Sequence, residues 1–262
     1  MSQGGIARRA LLTGLLALIS LTIFLVMLFG MFAFPFCPPF KHQIKSPILA
    51  VELAADESEL CAVIGTKQPA SAEQERCANP QKQPSPHNAA RAIALITANT
   101  WEDLLFIPAY ALFVYCLASL AVASSDGKGK TLSRIVGVLI LLAAIFDYLE
   151  DLGIFTSLKA NTLNSSVISH TRAVSLAKWS LIGVSLLLVG IILLRAGDAL
   201  YGRVLRNVLG WLAIAAGALM LISTLLPGLM LYANSLFALL ILLNAAYLLH
   251  LCWQGQVTAA ES

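Results

Sequence analysis

Six long apolar runs constrain this chain more than any other feature of its sequence. A bilayer core of about 30 Å is crossed by roughly 20 apolar residues in an α-helix, and each run reaches or approaches that length. Charged residues make up only 12% of the 262 residues, against about 25% in a soluble domain, so most side chains must face lipid or one another. The predicted spans are Ala10–Phe34, Trp101–Ala123, Ile135–Phe155, Val174–Leu194, Val208–Leu226 and Leu229–Trp253.

We therefore predict an all-α integral membrane protein with six transmembrane helices and a large extracytoplasmic loop between the first two. Residues 1–34 form the cytoplasmic N-terminus and the first span, residues 35–100 the loop with its short helices, residues 101–253 a five-helix membrane bundle, and residues 254–262 a cytoplasmic tail. The Pro227-Gly228 pair predicts a tight turn between the last two spans. The first run exceeds the roughly 7–15 residues of a secretory signal core, so we interpret it as an uncleaved helix.

The short segments on one side of the predicted bundle carry an excess of Lys and Arg, which is typical of cytoplasmic segments. Both termini are then cytoplasmic, and the protein is predicted to be a multi-pass protein of the plasma (cytoplasmic) membrane. Residues 35–100 face outward, and their length and mixed charges give them little weight in setting the orientation. The basic residues that set the orientation are Arg8, Arg9, Lys128, Lys130, Arg134, Arg195, Arg203 and Arg206.

The middle of the predicted outer loop differs in composition from its two ends. Ile48–Ile64 carries apolar residues near one helix face. Lys67–Pro86 is rich in Gln, Pro, Ser and charge, so it buries too little apolar surface to offset the entropy of ordering. Asn88–Thr100 regains helical character and is predicted to run directly into the second span. The apolar residues of the first stretch are Leu49, Leu53, Leu60 and Ile64.

Three cysteines lie in the predicted outer loop. We predict a disulfide between Cys61 and Cys77, which would close the polar stretch and contribute ~3 kcal/mol by restricting the unfolded chain. A bond from Cys37 to either of them stays an alternative. No metal site is predicted, because His42 and His87 are isolated from other ligands at close spacing.

Ionisable residues inside the predicted spans are costly in hydrocarbon and therefore need partners. Asp147, Glu150 and Asp151 are three and four residues apart, so they share one face of the third span. Counted from the basic end of each span at about 1.5 Å per residue, Asp147 lies about 20 Å across the membrane and Lys178, on the fourth span, about 25 Å across. The acids and the lysine are therefore expected to meet.

The second helix adds Asn99, Asp103 and Tyr110, which share a face because they follow one another by four and seven residues. The single Lys178 cannot neutralise every acid, so the group needs a protonated carboxyl, an external cation or amine, or a hydrogen-bonding ligand. The candidate ligand-binding residues are Asp103, Tyr110, Asp147, Glu150, Asp151 and Lys178.

Three interpretations of this polar group stay open. The charged residues could lie near the membrane surface, where they would only lock helices together. They could instead form a buried site that opens to the outer leaflet. Passage of protons or ions is the third interpretation, but no acid lies in the inner half of any predicted span. Asn244, near the middle of the sixth span, is interpreted as a hydrogen-bonding residue between helices.

Four short motifs lie between residues 48 and 195. They are Glu52-Leu53-Ala54, Asp103-Leu104-Leu105-Phe106-Ile107-Pro108-Ala109-Tyr110, Phe146-Asp147-Tyr148-Leu149-Glu150-Asp151 and Ala177-Lys178-Trp179. They resemble a family of uncharacterised bacterial multi-pass (six-span) membrane proteins, in which an Asp begins a Phe-Ile-x-x-Tyr helix, an Asp-x-x-Glu-Asn motif ends the next, and an Ala-Lys pair begins the following one. Asp151 stands where that pattern has Asn. The resemblance implies no activity, but it implies a single constellation of Asp103, Tyr110, Asp147, Glu150 and Lys178.

Two classes of function follow from these observations. In the first, the protein binds or acts on a lipid-like or amphipathic ligand at an outer-leaflet polar site, with Lys178 holding an anionic head group and Asp147 or Glu150 serving as base or cation partner. In the second, it is a structural or accessory subunit of a larger membrane complex, or a homo-oligomer. Membrane lipid is the expected partner, and the net charge of +3 is too small and scattered for nucleic acid. No cofactor is predicted, and the sequence does not decide whether the chain is an enzyme.

Overall fold

A computed structural model describes residues 3–32, 44, 46–64, 86–123, 129–159 and 164–253 of the chain. This part of the chain is helical, with a short 3₁₀ turn at Pro227–Leu229. Six of its helices are long and apolar enough to cross a membrane, which confirms the predicted helical class and the six candidate spans and fits a multi-pass membrane protein. The helices are α1 (Gln3–Phe32), α2 (Pro47–Glu52), α3 (Glu57–Ile64), α4 (Pro86–Ala123), α5 (Lys130–Lys159), α6 (Ser165–Arg195), α7 (Asp198–Ser223) and α8 (Met230–Trp253).

The helix ends follow the local sequence. Helix α4 begins at Pro86, where the missing N–H of proline costs nothing because the first turn leaves it unpaired. Asn164 caps α6 by accepting a hydrogen bond from the backbone N–H of Ser166 at 2.9 Å. Lys159 and Arg195 lie in the last turns of α5 and α6, where a positive charge is favoured by the helix dipole.

The C-terminal hairpin is bent by one glycine and reversed by one proline. Helix α7 begins at Asp198, before the predicted start of the fifth span at Val208, and it is kinked at Gly202, whose φ of 62° is readily adopted only by glycine. The predicted turn at Pro227-Gly228 is confirmed as the 3₁₀ turn between α7 and α8.

The six long helices form a closed ring. Each packs against the next long helix in the chain, α8 returns to pack against α1, and α4 also contacts α6 across the ring. Apolar side chains fill the interior, and large apolar side chains such as Leu105, Leu141 and Leu242 also point outward. A surface of that kind suits lipid, whose tails are as apolar as leucine.

Helices α6 and α7 touch through glycines. A Cβ placed on Gly217 would lie 2.5 Å from the carbonyl oxygen of Gly183, and a Cβ on Gly190 would lie 2.7 Å from that of Gly210. Larger residues would therefore force the two backbones apart, whereas glycine permits the close approach that is typical of membrane helix pairs. We call these four residues the glycine seam.

Helices α2 and α3 pack on one end of the ring. Helix α4 has 38 residues, so it is about 57 Å long and outreaches a bilayer core of about 30 Å. The short helices contact the N-terminal part of α4 and the adjoining ends of α5 and α6, where they bury a second apolar core. Leu49, Leu53, Leu60 and Ile64, predicted on one face, are all buried in that core.

The predicted large loop between the first two spans is not supported in that form. Pro86–Thr100 is the first part of α4, in agreement with the helical character predicted for Asn88–Thr100. The predicted single stretch Ile48–Ile64 is two helices, because Asp56 accepts a hydrogen bond from the backbone N–H of Glu59 at 2.9 Å and so starts α3 afresh.

Several predictions for this region lie outside the described residues. These are the polar stretch at residues 65–85, Cys37, Cys77 and the side chain of Cys61. The disulfide between Cys61 and Cys77 therefore stays a prediction.

Candidate functional site

The polar residues of the spans meet at the end of the ring that α2 and α3 cover. Asp147 and Glu150 come from α5, Lys178 comes from α6, and Tyr110 comes from α4. Helices α5 and α6 run antiparallel here, since Asp147 pairs with Lys178 while Gly153, further along α5, lies against Thr171, which comes earlier on α6.

Lys178 is the centre of the group. Its Nζ donates a hydrogen bond to Asp147 Oδ1 at 2.8 Å, forms an ion pair with Glu150, and lies 3.6 Å from Glu52 Oε2. Only 2% of Lys178 is exposed. A buried ammonium needs such partners, because the energy of removing it from water is recovered only through close opposite charges.

Tyr110 completes the coordination of Asp147. Its hydroxyl donates to Asp147 Oδ2 at 2.7 Å, so both carboxylate oxygens of Asp147 have a donor. We call the group of Glu52, Tyr110, Asp147, Glu150 and Lys178 the lysine cluster.

Glu52 is a member that the sequence predictions missed. It lies on α2, is buried, and accepts a hydrogen bond from Trp179 Nε1 at 3.3 Å as well as facing Lys178. Depth counting along the spans cannot place Glu52, because α2 belongs to none of them. The signal that could have found it is an acid in an otherwise apolar stretch, Pro47–Ala54.

Asp103 and Asp151 were predicted in the site but are not part of the lysine cluster. Asp151 is buried, and its Oδ2 has no hydrogen-bond partner among the described residues. Asp103 is half-buried and lies close enough to interact electrostatically with Asp147, Asp151 and Lys178. The described acids near Lys178 thus outnumber the single cation, and such a group requires either a proton on a carboxyl or a further positive or hydrogen-bonding partner.

A cavity of about 280 Å³ adjoins the lysine cluster. This volume is near the lower end of the range for small-molecule pockets, about 300–1,000 Å³. The polar side of its wall includes Glu52, Asn99, Asp103, Tyr110, Asp147 and Lys178. The apolar side includes Phe24, Met27, Leu231, Phe237, Ala238 and Ile241.

The cavity wall separates the predicted site residues into two groups. Asp103, Tyr110, Asp147 and Lys178 line the cavity, whereas Glu150 and Asp151 do not. Helix α4 contributes four residues to the cavity wall. They lie on one face of the helix because they follow one another by four, three and four residues: Asn99, Asp103, Phe106 and Tyr110. Within the described residues, no group of His, Cys, Asp and Glu side chains could hold a metal ion.

A second polar contact lies toward the other end of the ring. The Tyr201 hydroxyl donates to Asn244 Oδ1 at 3.1 Å, and the Asn244 amide donates to the Leu240 carbonyl at 2.8 Å. Asn244 therefore links α7 and α8 by a hydrogen bond, as predicted for it.

Searches for similar proteins found no match: no protein-family model, no curated protein and no solved structure resembles the chain. The resemblance to a family of bacterial six-span proteins therefore stays a prediction that rests on its short motifs.

Proposed function

We propose that the protein binds a lipid-like or amphipathic ligand in the cavity. The polar head of this ligand would lie against the lysine cluster and its apolar tail along α1 and α8. The observation that carries the proposal is the division of the cavity wall: its charged residues come from α2, α4, α5 and α6, whereas α1 and α8 contribute no charged residue and mostly apolar ones. A wall divided in this way matches a ligand with one polar end and one apolar end.

The contacts of Lys178 favour a different role from the one predicted for it. Its ammonium already faces Glu52, Asp147 and Glu150, so it has little capacity left for an anionic head group. We propose that Lys178 instead holds the carboxylates in position around the cavity. A ligand head would then contact the acids and amides of the wall.

The binding proposal is tested by filling the cavity. Ala238 lines it from α8, so Ala238→Phe should exclude the ligand. Ala246→Phe is the matched control, because Ala246 is exposed on the same helix and does not line the cavity. Native mass spectrometry of protein purified in mild detergent should find a retained lipid-like molecule on the parent and on Ala246→Phe, and should find it lost from Ala238→Phe.

Equal retention by Ala238→Phe, or the lack of any retained molecule on the parent, would contradict the proposal. Copurification of fixed partner chains with a ligand-free parent would favour the alternative prediction, an accessory subunit of a membrane complex.

We further propose that the protein lies in the plasma membrane with both termini in the cytoplasm and with α2 and α3 outside. The support is the position of the basic residues: Arg134 and Arg195 lie at the ends of α5 and α6 that are opposite to the lysine cluster. Positive residues of short segments favour the cytoplasmic side.

The orientation is tested by cysteine labelling in intact cells. Lys130 and Ser169 are exposed at opposite ends of the ring. An impermeant thiol reagent should label Ser169→Cys from outside and Lys130→Cys only after the cells are opened. The reverse pattern would overturn the orientation and leave the cavity proposal untouched.

A further inference from the structure

Two polar side chains of α4 line the cavity outside the lysine cluster. Asn99 is only 5% exposed, and its amide has no hydrogen-bond partner within the described ranges. Asp103, one helical turn further, forms no ion pair with the described cations. A polar group that faces a cavity without a protein partner takes its hydrogen bonds from water or from a ligand. Both groups therefore have free capacity to accept hydrogen bonds from a ligand.

The charges around Asp103 determine which ligand would be favoured. The Asp103 carboxylate is repelled by the negative charges of three acids and attracted by the positive charge of Lys178. The acids are Asp147, Asp151 and Glu52. Since Lys178 already pairs with Asp147 and Glu150, it has little capacity left to offset the charge of Asp103. A positive head group would gain energy there, whereas an anionic one would lose it.

We propose that the ligand carries a primary ammonium head, received by the Asp103 carboxylate and the Asn99 amide oxygen, with its apolar tail along α1 and α8. This inference rests on the proposed function and adds the chemical class of the ligand. A primary ammonium has three N–H donors, and Asn234 on α8 offers a third acceptor on the same cavity wall. A trimethylated ammonium has no N–H and would leave the Asn99 amide without a partner.

Trp179 provides a reporter of occupancy because it lines the cavity. A protein in which Trp179 is the single tryptophan is obtained by Trp101→Phe, Trp211→Phe and Trp253→Phe. The full chain is placed in phosphatidylcholine nanodiscs and titrated with 6-bromododecylammonium, whose mid-chain bromine stays near the head group and quenches indole fluorescence at short range. The trimethylammonium, alcohol and carboxylate with the same brominated chain are compared at equal concentration in the lipid phase.

The ammonium probe should quench Trp179 saturably, at a concentration about ten- to a hundredfold lower than the alcohol, as expected for one charge-assisted hydrogen bond. The trimethylammonium and carboxylate probes should bind more weakly than the ammonium. Equal quenching by all four probes would overturn the ammonium inference while supporting a site for apolar chains. No saturable quenching by any probe would overturn the proposed function itself.

Variants at Asp103 locate the effect. Asp103→Asn should abolish the preference for ammonium over alcohol, and Asp103→Glu should keep part of it because the charge is retained. Glu102→Gln is the matched control, since this neighbouring acid is half-buried but does not line the cavity. A preference that persists in Asp103→Asn would overturn the assignment. If Asp103→Asn melts too low to be assayed, Asn99→Leu gives the same test, with weaker binding of ammonium and unchanged binding of alcohol expected.

Discussion

Helix α6 is held on its two sides by opposite means. Toward α5, its N-terminal half presents Lys178, which pairs with Asp147 and Glu150. Toward α7, its C-terminal half presents two residues of the glycine seam, Gly183 and Gly190, which touch backbone atoms across the interface. The contact toward α5 combines ion pairs with close packing at Gly153, whereas the glycine seam contains no charged residue.

The difference bears on the purpose of the lysine cluster. The four residues of the glycine seam are uncharged, so close packing supplies this part of the contact between α6 and α7, beside a hydrogen bond from Arg206 of α7 to the carbonyl of Ala196 at the end of α6. Buried ion pairs are weak evidence for stability, because apolar residues of similar volume often serve as well or better. The comparison therefore favours a binding role for the lysine cluster over a role limited to locking helices together.

The largest expected effect comes from removing the central cation. Lys178→Met keeps the length of the side chain but leaves buried carboxylates without their partner, which should cost about 3–5 kcal/mol and lower the melting temperature by on the order of 10 °C. Thermal unfolding in detergent and in lipid measures the loss. Lys130→Met is the control, since Lys130 is exposed at the start of α5 and should melt like the parent.

A second substitution shows whether the loss is electrostatic. Asp147→Asn in the Lys178→Met background removes one of the charges left unpaired, so it should restore part of the melting temperature. Recovery would be incomplete, because Glu150 still lacks its cation. If Lys178→Met melts like the parent in both media, the cluster is solvated and the contrast with the glycine seam disappears.

The glycine seam should respond to size where the lysine cluster responds to charge. In Gly217→Ala, the new Cβ meets the carbonyl oxygen of Gly183, so α6 and α7 must separate at a cost of about 1–3 kcal/mol. Gly137→Ala is the matched control, since its Cβ meets only the ring of Tyr115, a partly exposed side chain that can move. Both variants should keep the alkylammonium binding of the parent, and loss of binding in Gly217→Ala would show that the two regions are not independent.

The smallest effect expected is a difference between two identical changes. Tyr110→Phe removes a hydrogen bond to the Asp147 carboxylate, and Tyr201→Phe removes one to the Asn244 amide. Hydrogen bonds between membrane helices contribute about 0.6 kcal/mol on average and at most about 1.7 kcal/mol. We expect Tyr110→Phe near the upper value and Tyr201→Phe near the average, because a charged acceptor binds more strongly. Equal losses of unfolding free energy in the two variants would show that the charged acceptor Asp147 forms no stronger a hydrogen bond than the neutral acceptor Asn244.

Helical periodicity and the depth of each residue across the membrane, both read from the sequence, were enough to predict that four residues of the lysine cluster meet. Asp147, Glu150 and Lys178 meet because their helices are antiparallel and their depths match, and Tyr110 reaches the same level from α4. These relations depend only on the rise and repeat of an α-helix, which the sequence contains.

The cavity could not be predicted in this way, because it depends on which helices are neighbours. Its apolar wall forms where α8 returns to α1, a long-range contact that no local pattern encodes. Helix α8 is apolar on nearly all sides, so its sequence does not indicate that Ala238 and Ile241 face a cavity. Glu52 was missed for a related reason, since α2 is positioned by the packing of its apolar residues rather than by membrane depth.

The residues that neutralise one another in the lysine cluster are synthesised at different times. Ribosomes complete α5, with Asp147, Glu150 and Asp151, before they reach Lys178 on α6. An acid at the centre of an inserting helix costs about 2.5–3.5 kcal/mol on scales of translocon insertion and less toward its ends, so these acids weaken the insertion of α5 when it is alone. Helix α6 begins at Ser165, soon after α5 ends at Lys159, which allows both to be held at the translocon together. We expect lateral release into lipid to be more favourable for the pair, once the opposite charges have met, than for α5 alone.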